Sequence, residues 1–322
     1  MSVTRHAITS GAINLYAESR GNPQNPALIL VHGYPDNHSV WDQVAAQLAD
    51  EFFVIAYDVR GAGQSDKPAR VADYRMPLLA QDLKAVADAI IPGQRFHLAA
   101  HDWGSIQSWE SVTTELLKGR IISFSSVSGP CLDHMGFWMR SHLFSLSPLR
   151  IFAGIRQLFA SWYIVFFQIP VLAPLLWRLV IAAQWNRYLR LREEVSEPDD
   201  NPTQANDGVI GVRLYRANFI GKMLRPQKRY AHCPVQLIVP TRDNYVGTQL
   251  FDELGEWVEH LYRRDLDATH WAPLTHAPLM AQWIRGFAHA VSNNKEDAEL
   301  RAARVSAPAR TPLNGSHLPE GV

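Results

Sequence analysis

A carboxylate, Asp102, lies where a tight strand-to-helix turn could present it for chemistry. The run Phe96–Ala100 is mostly apolar and predicts a buried strand, and helical spacing begins at Ser105. Small residues flank Asp102 two positions away on each side, so the backbone can turn sharply there. Such a turn projects its central side chain into a site and points the helix N-terminus at developing negative charge. A carboxylate there can attack an sp³ carbon and form an ester; the alternative is an Asp that merely caps the helix.

Two further residues, Asp243 and His270, follow in the order of acid and then base. Asp243 comes just after the strand-like run Pro234–Val239, and His270 just after the strand-like run Arg264–Ala268. Both therefore belong to loops at strand ends. We expect His270 to act as a base, and Asp243 to orient its ring and stabilise the imidazolium. The other candidates for the base are His32, His101 and His276.

A loop that could hold an oxyanion follows the apolar run Ala27–Val31. It reads His-Gly-Tyr-Pro, from His32 to Pro35. A loop in this place supplies one backbone N–H to an oxyanion, and the residue after the nucleophile supplies the other. We therefore assign the oxyanion hole to the backbone amides of Tyr34 and Trp103. The alternative is a simple Gly-Pro turn.

The segments that must position these residues alternate between short apolar runs and helical patterns. Strands are expected at Ile13–Ala17, Ala27–Val31, Phe52–Tyr57, Phe96–Ala100, Ile121–Val127, Pro234–Val239 and Arg264–Ala268, and helices near Val40–Leu48, Leu78–Ile91, Ser105–Leu117, Gln249–His260 and His276–Val291. This alternation predicts an α/β fold with a mostly parallel sheet and helices on both faces.

The alternation is interrupted by about a hundred helix-like residues, rich in Trp, Phe, Leu and Arg. We therefore predict the first part of the α/β core at residues 1–128 and an inserted helical cap at residues 129–230. The second part of the core is expected at residues 231–291, and a flexible C-terminal tail at residues 292–322. Such a cap would lie over the carboxyl edge of the sheet, where open α/β sheets bind ligands.

The composition excludes several classes of protein. Lys plus Arg and Asp plus Glu number 31 each, so nothing indicates a nucleic-acid partner. The two cysteines, Cys131 and Cys233, are far apart and in no metal-ligand or redox spacing, so we expect no metal and two reduced thiols. The first residues contain no apolar core of a signal peptide. We therefore expect a cytoplasmic protein.

One stretch of the predicted cap, Gln157–Trp177, is uncharged and long enough to be considered for a bilayer span. Pro170 and Pro174 and three polar residues interrupt it, which argues against a span. We expect these residues to form a lid, with contact to a membrane surface or to a lipid-like substrate.

Taken together, these motifs resemble those of the epoxide hydrolases of the α/β-hydrolase fold. The motifs are HGYP, the run Asp58–Pro68 (DVRGAGQSDKP), AHDWG around Asp102, the late Asp243, and His270 followed by Trp271. The resemblance covers about residues 10 to 290. It implies an epoxide opened to a diol through an ester on Asp102, without metal or cofactor. Haloalkane dehalogenases share the Asp nucleophile and are the main alternative.

The resemblance also assigns the cap residues. Epoxide hydrolases use two cap tyrosines to donate to the epoxide oxygen. The run Trp162–Pro170 (WYIVFFQIP) matches one of their motifs and implies this role for Tyr163, and the run LYRAN implies it for Tyr215. In the second run Leu214 stands where Trp is usual. Trp103, Phe167 and Trp271 are expected to line the substrate pocket.

The haloalkane dehalogenase alternative needs two donors for a departing halide. Trp103 could supply one. The second is usually an amide side chain in the loop after the first buried strand, where this chain has Tyr34. The loop therefore favours an epoxide. An esterase is disfavoured because the turn lacks Ser, and a catalytically idle ligand-binding domain is the alternative from another class.

A closer resemblance concerns certain bacterial fusion proteins, in which an epoxide-hydrolase-like domain precedes a short-chain dehydrogenase/reductase domain. It is carried by WGSIQSWE, SVSGPCLDH, IPVLAPLL and CPVQLIVPTRDNYV, and the segment Arg310–Pro312 resembles the linker between the halves. It implies a lipophilic epoxide as substrate and a dehydrogenase/reductase as partner.

Overall fold

Eight strands form one continuous sheet in the computed structural model, which describes residues 2–198 and 200–306. The strands are β1 Val3–Ser10, β2 Ile13–Arg20, β3 Ala27–Val31, β4 Phe53–Tyr57, β5 Phe96–His101, β6 Ile121–Val127, β7 Val235–Pro240 and β8 Leu261–Leu266. Their order in the sheet is β1-β2-β4-β3-β5-β6-β7-β8. Strands β1 and β2 pair antiparallel with their neighbours, and β4 to β8 form the parallel part together with β3.

The central strands are apolar throughout because helices cover both of their faces. Every residue of β3, β4 and β5 is buried, so the carboxyl ends of these strands are held in a rigid core. Strand β2 instead alternates buried and partly exposed residues, as expected for a strand with one solvated face. The site residues follow β3, β5, β7 and β8 at the carboxyl edge.

The helices of the core are α1 Asp42–Leu48, α2 Met76–Ile90, α3 Trp103–Val112, α10 Ala272–Thr275 and α11 Ala277–Asn293. They cover both faces of the sheet, where α1 packs against α11 and α2 packs against α3. The helix expected at Gln249–His260 is wrong, because that segment forms only two short 3₁₀ turns, Thr248–Phe251 and Leu254–Glu256. Gly255 lies in the middle of the segment, and glycine disfavours a continuous helix.

The segment between β6 and β7 is helical. It contains α4 Leu132–Leu143, α5 Pro148–Ala160, α6 Trp162–Phe167, α7 Leu172–Leu176, a π-helical turn Trp177–Ile181, α8 Ala182–Arg192 and α9 Gln204–Leu224. We refer to these helices as the cap, and their inner residues join the main core cluster. The stretch Gln157–Trp177 is divided among three short helices, and within the described residues no helix is long and apolar enough to cross a membrane.

The last described residues differ from the sequence prediction of a flexible tail that begins at residue 292. Helix α11 continues to Asn293, and α12 (Ala298–Ala302) packs back on the sheet. The backbone N–H of Val305 donates to the carbonyl of Leu261 at 2.9 Å, and the buried Leu300 packs with Tyr262. An open strand edge at β8 and one buried leucine fix this segment. The rest of the predicted tail, including Arg310–Pro312, lies outside the described residues.

Candidate active site

Asp102 occupies the turn between β5 and α3 with a backbone conformation that L-residues rarely adopt, φ 51° and ψ −125°. The turn is possible only because its neighbours are small. A Cβ on Gly104 would lie 2.3 Å from the carbonyl oxygen of Val31, and one on Gly33 would lie 2.4 Å from Oδ1 of Asp102. Strain of this kind persists where the surrounding structure imposes it, as it does at many active sites. The result is a carboxylate held at the carboxyl edge of the sheet.

The loop after β3 supplies a hydrogen bond to that carboxylate. The backbone N–H of Tyr34 donates to Oδ1 of Asp102 at 2.7 Å. Trp103 is the first residue of α3, directly after Asp102, and its indole packs edge-on against the ring of Tyr215 at 4.7 Å. The hydroxyl of Tyr34 donates to the carbonyl of Gly208 in α9 at 2.9 Å, which ties the loop to the cap.

The other oxygen of Asp102 faces His270. Its Oδ2 lies 3.4 Å from Nε2 of His270, while Nδ1 of the same ring is 2.8 Å from Oδ2 of Asp243. The second oxygen of Asp243 accepts the backbone N–H groups of Tyr245 and Val246 at 2.7 and 3.0 Å. Asp243 is therefore fixed by its own loop, and it fixes the orientation of the imidazole between two carboxylates.

The charges of Asp102, His270 and Asp243 influence one another. Burial by itself lowers the pKa of His270, but the charge of Asp243 and the hydrogen bonds that the ring donates to both carboxylates outweigh burial and raise that pKa well above its usual value. Burial likewise raises the pKa of Asp243, and the facing His270 and two backbone N–H groups bring it below its usual value. Since Asp102 is one of the groups that raise the pKa of His270, neutralising Asp102 would lower it.

The two cap tyrosines line the same cavity as Asp102 and His270. Tyr163 comes from α6 and Tyr215 from α9, and their ring centroids are 6.1 Å apart. Burial raises the pKa of Tyr163, and the charges of Asp102 and Asp243 raise it further. Burial and the charges around it also raise the pKa of Tyr215. Both phenols are therefore neutral donors at physiological pH.

Two cavities adjoin Asp102, and both are bounded by aromatic and aliphatic side chains. The first, of about 150 Å³, lies between the cap and the Tyr34 loop and includes Phe167 and Trp271. The second, of about 30 Å³, includes Trp103, Ile106 and Met135. Of the three residues expected in the pocket, Phe167 and Trp271 thus contact the first cavity and Trp103 the second.

The other histidines point elsewhere. Nε2 of His101 lies 2.9 Å from the carbonyl of His270, and Nε2 of His32 accepts the backbone N–H of Val59 at 3.0 Å. Burial lowers the pKa of both rings to about 4. His276 caps α11 and does not contact either cavity. These rings support loops, and His270 alone of the four faces Asp102.

Glu193 is a buried carboxylate that sequence reasoning missed, and it holds the loop of His270. Its Oε2 accepts the backbone N–H of His270 at 3.1 Å, and its Oε1 accepts the hydroxyl of Tyr188 at 2.8 Å. Its own carbonyl accepts the hydroxyl of Thr269 at 2.9 Å. The residue follows an Arg-rich helix and begins an acidic stretch, so only its position in space distinguishes it from Glu194, which is exposed.

Asp36 is a second carboxylate that sequence reasoning missed. It lies in the loop after β3, and its Oδ2 accepts the indole N–H of Trp271 at 2.9 Å. Burial raises the pKa of Asp36 to about 7, with the charge of Asp102 acting in the same direction. Its place directly after the His-Gly-Tyr-Pro motif was the only available signal.

Comparisons with known proteins agree with this architecture. A family model described as alpha/beta hydrolase fold matches residues 26–139. The protein named probable oxidoreductase EphD of Mycobacterium tuberculosis is 35% identical over 294 residues, which are 89% of this chain and 50% of that protein. The chain thus spans about half the length of this mycobacterial relative. Epoxide hydrolase 3 of Xenopus tropicalis is 24% identical over 85% of this chain and 74% of that protein.

Solved structures give the same fold. A mutant epoxide hydrolase from Bacillus megaterium superposes with a TM-score of 0.73 and 19% identity, covering 88% of this chain and all of that one. Epoxide hydrolase VrEH1 from Vigna radiata has a TM-score of 0.71 and 19% identity, covering 89% of this chain and 98% of that one. At this level of identity the likeness establishes the fold.

Proposed function

This chain has the α/β-hydrolase fold, and on that basis we propose that it is an epoxide hydrolase, which opens an epoxide to a vicinal diol through an ester on Asp102. One observation carries the proposal: two neutral phenols, Tyr163 and Tyr215, line one cavity with the Asp102 carboxylate and the His270 imidazole. Epoxide opening needs a nucleophile for carbon and an acid for oxygen at the same time.

In the first step an oxygen of Asp102 attacks an epoxide carbon. Oδ2 is the better candidate, because Oδ1 already accepts the N–H of Tyr34 and would become the carbonyl oxygen of the ester. The carbon–oxygen bond of the ring breaks, its electron pair goes to the ring oxygen, and Tyr163 or Tyr215 supplies the proton. The product is a hydroxyalkyl ester and one tyrosinate.

Ester formation prepares the second step. The ester carries no charge, so one of the influences that raise the pKa of His270 disappears, and the lower pKa favours the unprotonated ring that can accept a proton. His270 then takes a proton from water, and the resulting hydroxide adds to Cγ of Asp102. The negative charge develops on Oδ1, beside the N–H of Tyr34 and, in this proposal, that of Trp103.

Collapse of that intermediate expels the diol oxygen, which takes the proton from His270. The carboxylic acid left on Asp102 returns its proton to the tyrosinate, so every group regains its starting state. The aromatic and aliphatic lining of both cavities favours a lipophilic epoxide. A dehydrogenase/reductase partner and a cytoplasmic location stay predictions from the sequence.

The proposal is tested by trapping the ester. His270→Gln keeps the nucleophile and the tyrosines but removes the base, so the ester should accumulate. Peptide mass spectrometry after incubation with aromatic, terminal and fatty-acid epoxides should show the mass of the epoxide added to the Asp102 peptide. The matched control His276→Gln should turn over normally. If no epoxide of the panel gives an adduct or a diol, the proposal is wrong.

Haloalkane dehalogenation uses the same nucleophile and is the second candidate. The geometry of the Tyr34 loop argues against it, because this residue offers no side-chain amide and its hydroxyl already donates to Gly208. Release of halide from chloro- and bromoalkanes, without diol formation from epoxides, would favour the dehalogenase instead. An enzyme inert to both panels that still binds long-chain ligands would favour an idle binding domain.

A further inference from the structure

The outer surface of the cap is apolar to an unusual extent. On the helices and loops between residues 144 and 180, large apolar side chains point into solvent, and we call this surface the cap face. Eight of them are between 65% and 85% exposed: Phe144, Leu149, Phe152, Phe159, Trp162, Val165, Val171 and Leu179. A soluble domain rarely exposes a contiguous apolar surface of this kind unless something binds to it.

The cap face is the outer side of the wall that encloses the active-site cavity. Helix α6 presents Trp162 and Val165 to solvent, while Tyr163 and Phe167 of the same helix line the cavity. The short helix is therefore apolar on both sides. At this helix, a lipophilic molecule held at the cap face would be separated from the cavity by α6.

The charges that the cap helices carry around the cap face have one sign, and a core residue, Glu253, pairs with one of them, Arg150. Between Asp133 and Glu193 the chain has seven arginines and no Asp or Glu. All seven arginine residues are exposed: Arg140, Arg150, Arg156, Arg178, Arg187, Arg190 and Arg192. Arg156 follows Leu149 and Phe152 by seven and four positions on α5, so it lies on the same side of that helix as these two exposed apolar residues. The chain as a whole is neutral, which makes this concentration of positive charge local.

We propose that the cap face docks on an anionic lipid bilayer. Apolar side chains surrounded by arginines fit the boundary between acyl chains and phosphate headgroups, where the long Arg side chains can reach the phosphates. A second protein surface would need acidic groups to match the arginines, and this chain offers none between residues 134 and 192, which weighs against self-association through the cap face. The helices lie on the membrane, since none of those described is suited to cross it.

Docking would place the wall of the cavity in the acyl-chain region. If the chain is an epoxide hydrolase, as proposed above, a membrane-dissolved epoxide could then enter the cavity without crossing water. This consequence rests on the proposed function, whereas docking itself does not. Binding to lipid and hydrolysis of epoxides are therefore measured separately, and either can fail without the other.

The test uses vesicles of phosphatidylcholine alone or mixed in equal parts with phosphatidylglycerol, with no epoxide present. The full chain should co-sediment with the mixed vesicles far more than with pure phosphatidylcholine, and less at high salt. The triple variant Leu149→Gln, Phe152→Gln, Phe159→Gln should weaken that binding by roughly 100-fold. The control variant Val3→Gln, Leu116→Gln changes exposed apolar residues of the α/β part of the chain, outside the cap face. It should bind the mixed vesicles as the unmodified chain does.

A second measurement reports the depth of insertion. Brominated lipids should quench the fluorescence of the unmodified chain, and Trp162→Phe should remove most of the quenching. None of the substituted residues lines either cavity beside Asp102, so turnover of a water-soluble epoxide should stay unchanged in all variants. The proposal is overturned if the unmodified chain does not bind the mixed vesicles. It is equally overturned if sedimentation velocity shows a dimer that the triple variant dissolves while vesicle binding is absent.

Discussion

Glu193→Ala is expected to slow the second chemical step and to leave the first nearly intact. The Glu193 carboxylate is fully buried and accepts the backbone N–H of His270 at 3.1 Å. It makes no hydrogen bond to Asp102, Tyr163 or Tyr215. In the proposed mechanism His270 acts only in ester hydrolysis, so a loop that holds His270 less firmly affects that step alone.

The magnitude follows from the contacts that the alanine removes. The buried N–H of His270 would lose its acceptor, which costs about 1–3 kcal/mol. The space left by the shortened side chain adds a further cost, so we expect a loss of about 2–4 kcal/mol in the free energy of unfolding. The lost hydrogen bond of Tyr188 costs less free energy, because the Tyr188 hydroxyl also hydrogen-bonds to that of Tyr245. A displacement of His270 by about 1 Å would slow ester hydrolysis by roughly 10- to 100-fold.

The conservative variant separates positioning from charge. In Glu193→Gln the amide oxygen can still accept from His270, and the amide N–H can donate to the Tyr188 oxygen. We therefore expect this variant to recover most of the stability and rate. The matched control Glu194→Ala changes a neighbouring acid that is exposed and paired with Arg242, and it should alter the stability by no more than about 0.5 kcal/mol.

The assay is stopped-flow tryptophan fluorescence with excess enzyme, which resolves ester formation from ester hydrolysis, together with thermal unfolding of each variant. Glu193→Ala should accumulate ester that the unmodified chain does not. Equal slowing of both steps would show that the whole site is disturbed. An unchanged rate of ester hydrolysis in a less stable protein would show that Glu193 serves only folding, and would refute the positioning role.

Three further outcomes follow from the site. Asp243→Asn removes the charge that holds the pKa of His270 high, so the acid limb of the kcat profile, where the base becomes protonated, should move to lower pH while kcat falls. Replacing glycine by alanine normally stabilises a helix. In Gly104→Ala, however, the new Cβ would lie 2.3 Å from a backbone carbonyl oxygen of β3, so denaturant unfolding should show a loss of about 2–4 kcal/mol in the free energy of unfolding. The pKa of Asp36 is raised to about 7, so the folded state binds its proton more tightly than the unfolded state and stability falls as pH rises from about 4 to about 7. Asp36→Asn keeps an acceptor for Trp271 but carries no charge at any pH. Measured by urea unfolding, its free energy of unfolding relative to that of the unmodified chain should therefore be about 1–3 kcal/mol higher at pH 8 than at pH 4.

The sequence determined the core of the fold because its signals are local. Continuous apolar runs predict strands buried on both faces, and Ala27–Val31 and Ile121–Val127 are strands with the predicted bounds. Small residues around Asp102 predict the sharp turn, since any larger neighbour would meet backbone. The order of Asp102, Asp243 and His270 along the chain predicts that they meet, because parallel strands end at one edge of a sheet.

The elements that the sequence missed depend on partners distant along the chain. Strand β1 (Val3–Ser10) is mostly polar and is a strand because it pairs with β2. The sequence predicts a flexible tail where helix α12 forms, because these five residues have no helical pattern of their own and Leu300 is buried only against β8 and α11. The short 3₁₀ turns between β7 and β8 along the chain likewise bury Leu250, Phe251 and Leu254, and this burial depends on packing against distant segments.

Local patterns in the chain are enough for a chemical proposal: an α/β fold, a carboxylate in a sharp turn, an acid and a base after later strands, and two tyrosines in a helical insertion. How those groups are held and what surrounds them follows only from the packing of distant segments. In the sequence Glu193 cannot be distinguished from a surface acid, and only the fold buries it against His270. Likewise, only the fold shows which apolar residues of the cap face solvent. Burial and direction are properties of the packed chain, because they depend on which distant segments cover a side chain.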